Sequence, residues 1–439
     1  MRVEGQREGD PVSFEEWQAE LAAERARAEK PIIADLVEFF RTYVHLPDVD
    51  HVRAAVATAV TREAPGDPLW LQLVAPPSSS KTETIRLLDH TADGQLDEVL
   101  GPAALLRWVS EGRGKDKRIK PGGMLAGRAG ESILATIADF STILALSDRG
   151  SRDQFFAAMR RVYDGVYQRD LGNGPHPLEW HGRLTLVSAV TPALDEYSAH
   201  ADQLGPRWVN YRLTAPGRDD RRKAVKAMHT GQATLAENRR KAADLAADAV
   251  TAAARRLPTI ELTAALGDYI DACAIVCAQG RGTVPREGYG RRDVKGLPVI
   301  EEPPRLVGQM TLLARGVLAL GEDNDTAKRL VQRVALDSMP PERLKILQAL
   351  ATNVTVTASA ASRSVGLHRW VAARVLEDLD VLGIASCDAD WEQRDSDDSA
   401  KTKPINYILD GPEVLLIKGV ITGDEKLIAK ANKQANEEG

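Results

Sequence analysis

The chain has 439 residues, of which 43% are hydrophobic and 27% charged. That length suggests two to four domains, and that composition excludes global disorder. The net charge of −6 excludes a chain-wide basic surface, so any nucleic-acid contact has to be local. Mean hydropathy is −0.27, and no stretch approaches the roughly 18 apolar residues that a membrane span needs. Cys273, Cys277 and Cys387 show no metal-ligand spacing and no disulfide framework, which fits a reducing compartment. The charged start of the chain, without an apolar signal core, adds to the expectation of a cytoplasmic protein.

Residues 1–13 read as a disordered leader. Ser13 opens a capping box for a helix to about Ala28, and a second helix follows around Ile32–Val44. After the break Pro65-Gly66-Asp67-Pro68, the apolar run Leu69–Val74 is predicted to be a buried strand. Ala75-Pro76-Pro77-Ser78-Ser79-Ser80-Lys81-Thr82 is the loop after it, and a helix runs from Glu83 to about His90. Ser132–Ala138 and Leu184–Val190 are two further strands, with a helix at Gln154–Tyr163 between them. Strands alternating with helices predict an α/β core with a parallel sheet.

Beyond residue 218 the pattern turns helical. Asp219–Arg256 is a long helix or helical pair, and Ile260–Ala278 and Arg305–Leu320 are further helices, the last with an apolar stripe of Leu306, Met310, Leu313 and Val317. Pro341–Ala351 and Thr357–Ser364 are then helices, Gly366 makes a tight turn, and His368–Asp380 is a longer helix. Ile384–Cys387 and Asn406–Leu409 form a hairpin around an acidic stretch. This order predicts a winged helix. The expected divisions are an N-terminal helical segment (1–60), an α/β core (61–217), a helical region (218–338), a winged-helix domain (339–422) and a flexible tail (423–439).

The loop Ala75–Thr82 carries the main chemical signal. A phosphate loop needs backbone N–H groups converging on phosphates, a lysine reaching their outer oxygens and a hydroxyl for magnesium. Lys81 and Thr82 supply the last two, between a strand and a helix. The motif departs at Ser80, where glycine normally stands. The competing reading is an ordinary turn with a surface lysine. Asp139 closes the strand Ser132–Ala138, where an acidic residue holds the water shell of magnesium. Phe140 follows it instead of a water-polarising glutamate, so either another acid serves, Asp148 or Asp164, or hydrolysis is slow. Thr191, with Ser188 before it, closes the third strand and is suited to sensing a γ-phosphate. Arg207 and Arg212 follow, and an arginine in this place can serve a neighbouring subunit as an arginine finger.

The order Lys81–Thr82, Asp139, Thr191, Arg207 and then helices resembles the AAA+ P-loop ATPases. Glu301-Glu302-Pro303-Pro304-Arg305-Leu306 resembles the sensor-two segment in the branch with minichromosome-maintenance helicases, and Arg281-Gly282-Thr283-Val284-Pro285-Arg286 resembles its linker. The resemblance covers residues 65–335. Asp139–Leu144 and Tyr163-Asp164-Gly165 are similar to uncharacterised ATPases of phages and mobile elements. The resemblance implies an AAA+ core with a helical lid, ATP and Mg2+ as cofactors, and self-association into a ring or partial ring. It also implies that Arg305 contacts the γ-phosphate, with Lys81 and Asp139 acting in the same subunit and Arg207 in the next.

For DNA, His368, Arg369 and Arg374 lie on the expected recognition helix, beside an acidic expected wing. The basic run Arg113–Lys120, with Gly122 and Gly123 after it, is either a DNA-touching pore loop or a solvated surface loop. Three functions compete: an ATP-dependent motor or switch on DNA, a nucleotide-regulated transcription or signalling regulator with low hydrolysis, and a non-catalytic protein-binding scaffold. No membrane contact is expected.

Overall fold

The computed structural model describes residues 30–44, 48–77, 79–96, 101–112, 118–145, 149–172, 175–196, 207–288, 293–353, 355–388 and 405–438. The helix expected near residues 13–28 lies outside them. Two helices, α1 (Ala34–Val44) and α2 (Asp50–Val60), precede β1 (Trp70–Val74), and the short α3 (Lys81–Arg86) follows it. Next come β2 (Gly94–Gln95), the hairpin β3 (Arg107–Glu111) and β4 (Arg118–Gly122), and β5 (Ser132–Ile137). A single turn α4 (Ser141–Leu144) leads to α5 (Arg149–Tyr163), the hairpin β6 (Val166–Arg169) and β7 (Leu178–His181), then β8 (Arg183–Val190) and β9 (Val209–Arg212).

β1, β2, β5, β8 and β9 form one five-stranded sheet, all parallel, in the order β2-β5-β8-β1-β9. β1 is buried at every residue, as befits a strand covered on both faces. Its side chains alternate between two cores: Trp70 and Val74 on one face, Leu71 and Leu73 on the other. The first face is covered by α5, whose Phe155, Met159 and Val162 recur at helical spacing.

The second face packs on α2 and on helices from the C-terminal half. α6 (Arg218–Gly231) and α7 (Leu235–Arg256) form the expected helical pair, and α8 (Ala264–Arg281) starts at Thr263, whose hydroxyl caps Leu266 N–H. α9 (Pro304–Ala319) crosses α2 closely: a Cβ on Gly316 stands 2.5 Å from the Ala57 carbonyl oxygen. Arg53 of α2 pairs with Glu322 just past α9 at 2.6 Å, so the two helices run antiparallel. α10 (Asn324–Asp337), which the sequence pattern does not predict, starts on the Asp323 cap (2.8 Å to Thr326 N).

α10 closes the sheet. β9 is an edge strand, and an edge presents N–H groups with no strand to receive them. The Asn210 N–H donates to Ser338 Oγ (2.8 Å) and the Arg212 N–H to Asp337 Oδ2 (2.7 Å). Two side chains at the end of one helix thus replace the next strand.

The C-terminal part holds α11 (Pro341–Thr352), β10 (Val356–Thr357), α12 (Ala358–Val365), α13 (Arg369–Val381), β11 (Ala385–Cys387) and β12 (Asn406–Leu409). The strands form an antiparallel sheet in the order β10-β12-β11. Thr357 caps α12 through Ala360 N–H (3.1 Å), and Gly366 takes the left-handed conformation (φ 69°) between α12 and α13. Of the acidic stretch, 389–404 lies outside the described residues. Two helices follow, α14 (Val414–Thr422) and α15 (Glu425–Glu438). The tail expected to fray beyond residue 423 is therefore helical, and its Ile428 is buried against the core. Among the described residues no helix is long and apolar enough to cross a membrane.

Candidate functional site

The loop after β1 lies at the C-terminal edge of the sheet, where Ala75 N–H donates to the Val190 carbonyl of β8 (3.1 Å). Ala75 is buried, Pro76 and Pro77 are exposed, and Ser79 and Ser80 are half-buried; Ser78 lies outside the described residues. Ser79 Oγ donates to the Pro76 carbonyl (2.5 Å) and holds the loop curled.

Ser80 is the informative residue. Its backbone is left-handed (φ 63°, ψ 1°), and among the described residues it alone has positive φ without being glycine. An L-residue held there costs roughly 1–2 kcal/mol. The loop therefore keeps the backbone path that glycine usually supplies at this position, although the side chain is serine. Strain of this kind persists only where the surroundings over-determine it.

Lys81 is 6% exposed, and its Nζ donates to the Pro76 carbonyl across the loop (3.3 Å). Burial lowers the pKa of the ammonium, and the Asp139 carboxylate opposes that shift. Lys81 at the start of α3 and Asp139 after β5 are thus within electrostatic reach of one another. Thr82 is half-buried in the first turn of α3. Glu83, next on that helix, is clamped from α7 by Arg239 through two bonds of 2.6 and 2.9 Å.

Asp139 is exposed at the tip of β5, and its Oδ1 accepts the Ser141 N–H (3.0 Å). Thr191 is half-buried at the tip of β8. Because β8 lies between β1 and β5, Thr191 stands between the loop and Asp139. Ser141 contacts both neighbours, a role that sequence reading misses. The only hint is a short polar pair, Ser141-Thr142, directly after the acidic strand. Ser188 differs from expectation: it is fully buried in mid-strand, paired with Gln72 Nε2 at 3.4 Å, and belongs to the sheet interior.

Phe140 is core, 1% exposed, among Phe155, Phe156 and Trp208. Of the two acids considered in its stead, Asp148 lies outside the described residues. Asp164 follows the end of α5 and pairs with Arg207 (3.4 Å). That pair sits at the opposite, N-terminal edge of the sheet, since Arg207 precedes β9 and β9 runs parallel to β1. Asp164 is therefore not at the loop.

The arginines separate by position. Arg212 ends β9 opposite Val74 and grips Asp195 with two bonds (2.9 and 2.6 Å), an ion pair within its own chain. Arg207 lies roughly 16 Å further back along the strand, over the Tyr163 ring (5.4 Å). Arg305 is in the same place. Gln309, one turn along α9, donates to Tyr163 Oη (2.9 Å) and to the Arg207 carbonyl (2.7 Å). Burial and the Asp67 carboxylate push the Tyr163 phenol up to about 12, while Arg305 and Arg207 act against them. Arg305 itself faces Glu301 (3.8 Å). Two cationic side chains are thus gathered at the sheet edge far from Lys81 of the same chain.

Lys81 and Thr82 of the loop, with Asp139, carry the groups that could hold a nucleoside triphosphate and its metal. Backbone N–H groups around Ser80 and the Lys81 ammonium suit its phosphates, and the Thr82 hydroxyl and Asp139 would share a magnesium ion with phosphate oxygens. Among the described residues no three His, Cys, Asp or Glu side chains come together to hold a metal unaided, and this kind of site does not require it, since the phosphates complete the shell.

In the C-terminal part, Arg369 is exposed at the start of α13 and Arg374 is half-buried one turn on. His368 caps the helix, its Nδ1 accepting the Trp370 N–H (3.4 Å). In comparisons with known proteins, no family model matches the chain and no curated protein is similar to it.

Proposed function

We propose that this chain is an ATP-binding, Mg2+-dependent AAA+ motor or switch that works on DNA as a ring or partial ring of copies. The observation that carries the reading is the left-handed Ser80 beside buried Lys81, with Asp139 within electrostatic reach. A strained loop backbone, a desolvated lysine and an acidic strand tip are what polyphosphate binding requires together. In this reading Lys81, Thr82 and Asp139 serve the nucleotide of their own subunit, and Thr191 senses its γ-phosphate. Arg207 and Arg305, on the far edge, serve the neighbour's.

α6 to α10 act as the lid, tied to the loop helix by Arg239 and Glu83. The part from α11 to β12 serves as a winged helix, whose α13 meets DNA through His368, Arg369 and Arg374. The β3–β4 hairpin, with exposed Arg118 and Lys120, supports a second DNA contact in a central pore. The cytoplasm is the proposed location, and replication initiation, helicase action or helicase loading on a phage or mobile element is the proposed setting.

The test is ATP binding by calorimetry and ATP hydrolysis with and without DNA. Wild type binds and hydrolyses, DNA stimulates turnover, and Lys81→Ala loses both. Equal binding by wild type and Lys81→Ala defeats the assignment.

A second reading has its own support. Phe140 is buried where a water-activating carboxylate normally stands, and Asp164 is at the wrong edge. Both favour a switch that binds nucleotide and turns it over slowly, such as a nucleotide-regulated DNA-binding regulator. Tight ATP binding with turnover that DNA does not stimulate selects it.

A further inference from the structure

We infer that the exposed end of α13 is a stacking platform for unpaired DNA bases, with Trp370 as the ring that stacks; this rests on the proposed DNA contact of that helix. Trp370 is 75% exposed, although the same helix buries Ala372, Val375, Leu376 and Leu379. A large aromatic ring left in water has an unused apolar face, and the surrounding charge says what that face accepts. His368 and Arg369, next to it at the start of α13, and Arg363, in the last turn of α12, the helix packed against α13, are exposed too, and the first turn of α13 holds no acid.

Of the three acids on the later turns, Asp380 lies near the far end of the helix and accepts the Cys387 thiol (3.8 Å), and the other two are ion-paired. Glu377 pairs with Arg286 (2.9 Å), and Asp378 pairs with Arg286 (2.5 Å) and Arg343 (3.6 Å). Their charge is thereby offset, and the Trp370 end stays cationic. Cations take phosphates, and a free indole face takes a base.

An intact duplex covers the faces of its bases, so a ring reaches them only by unstacking a step, at a cost of a few kcal/mol. A single strand or a fork offers its faces freely. The site therefore discriminates unpaired from paired DNA. That assigns α13 a substrate class different from groove reading by Arg369 and Arg374.

The experiment measures binding of the full chain to a labelled oligothymidine strand and to a blunt mixed-sequence duplex, by fluorescence anisotropy. Trp370→Ala is expected to weaken strand binding by roughly ten-fold or more, the scale of one lost stacking contact, while duplex binding changes little. Trp370→Phe restores most of the strand affinity. Because the ring is exposed, both variants keep the wild-type melting temperature. Equal loss on strand and duplex, or no loss on either, overturns the inference and leaves the patch to a protein partner. If the double variant Arg369→Ala/Arg374→Ala still weakens duplex binding in that case, the DNA reading of the helix survives. A wild type that binds neither probe overturns both.

Discussion

The Ser141 hydroxyl donates to Thr191 Oγ1 at 3.1 Å and accepts the Thr191 backbone N–H at 2.9 Å. Its own N–H is held by the Asp139 carboxylate. One serine therefore joins the acidic tip of β5 to the polar tip of β8. In the proposed site this links γ-phosphate sensing to the magnesium side. Coupling through short hydrogen bonds needs no large motion.

Ser80→Gly is expected to raise stability. The left-handed backbone costs serine roughly 1–2 kcal/mol, and the extra freedom of glycine costs about 0.5–1 kcal/mol in the unfolded chain. The balance favours glycine by roughly 0.5–1 kcal/mol, read as a higher urea midpoint. Ser80→Val moves the other way, since a β-branched residue resists this conformation. Equal midpoints for the two variants would show that the strain is absent in solution.

If Arg207 acts as the proposed arginine finger, Arg207→Ala keeps ATP binding and loses hydrolysis by about a thousand-fold or more. The position of Arg207 at the far sheet edge adds a stricter condition. Lys81→Ala and Arg207→Ala proteins, each inactive alone, should recover activity when mixed, because mixed interfaces contain one intact copy of each group. An inactive mixture, with assembly intact by light scattering, removes the trans role.

His51 is 1% exposed, between Phe40 and Tyr211, and burial lowers its pKa from 6.5 to about 4. The unfolded chain then binds a proton that the folded chain refuses, so stability falls as the pH drops from about 6.5 towards 4. The full effect is about 3 kcal/mol. Denaturant titrations at several pH values should show this slope in wild type and a flatter one in His51→Leu. Parallel slopes between pH 6.5 and 5 would contradict it.

Gly316→Ala tests the contact between α9 and α2. In an open helix this change gains about 1 kcal/mol. Here the new methyl meets the Ala57 carbonyl oxygen at 2.5 Å, and overpacking of a core costs about 1–3 kcal/mol. The net expectation is a loss of up to about 2 kcal/mol. A stabilised variant would mean that α9 shifts freely on α2.

The central strands are legible in the sequence because β1, β5 and β8 are largely apolar runs, the composition that burial on both faces favours. β9 is not. Its four residues, Val209-Asn210-Tyr211-Arg212, alternate and border solvent, and the helix that caps it is more than a hundred residues away. α10 is hidden for a related reason, since its apolar residues are diluted by Lys328, Arg329, Gln332 and Arg333. At the candidate site, residue types and order point to Lys81, Asp139 and Thr191. The backbone of Ser80 does not follow from a serine, and the separation of Arg207 from Arg212 appears only once the register of β9 on β1 is known.

That capped edge has a consequence for synthesis of the chain. β9 receives its outer partners from residues 337 and 338, which a ribosome adding roughly 5–20 residues per second reaches about ten seconds later. During that interval β9 has an open outer edge, and the sheet face that packs on the C-terminal helices is uncovered as well. The growing polypeptide is then most exposed to chaperones, and to pairing with another nascent copy, before its own last core helix emerges.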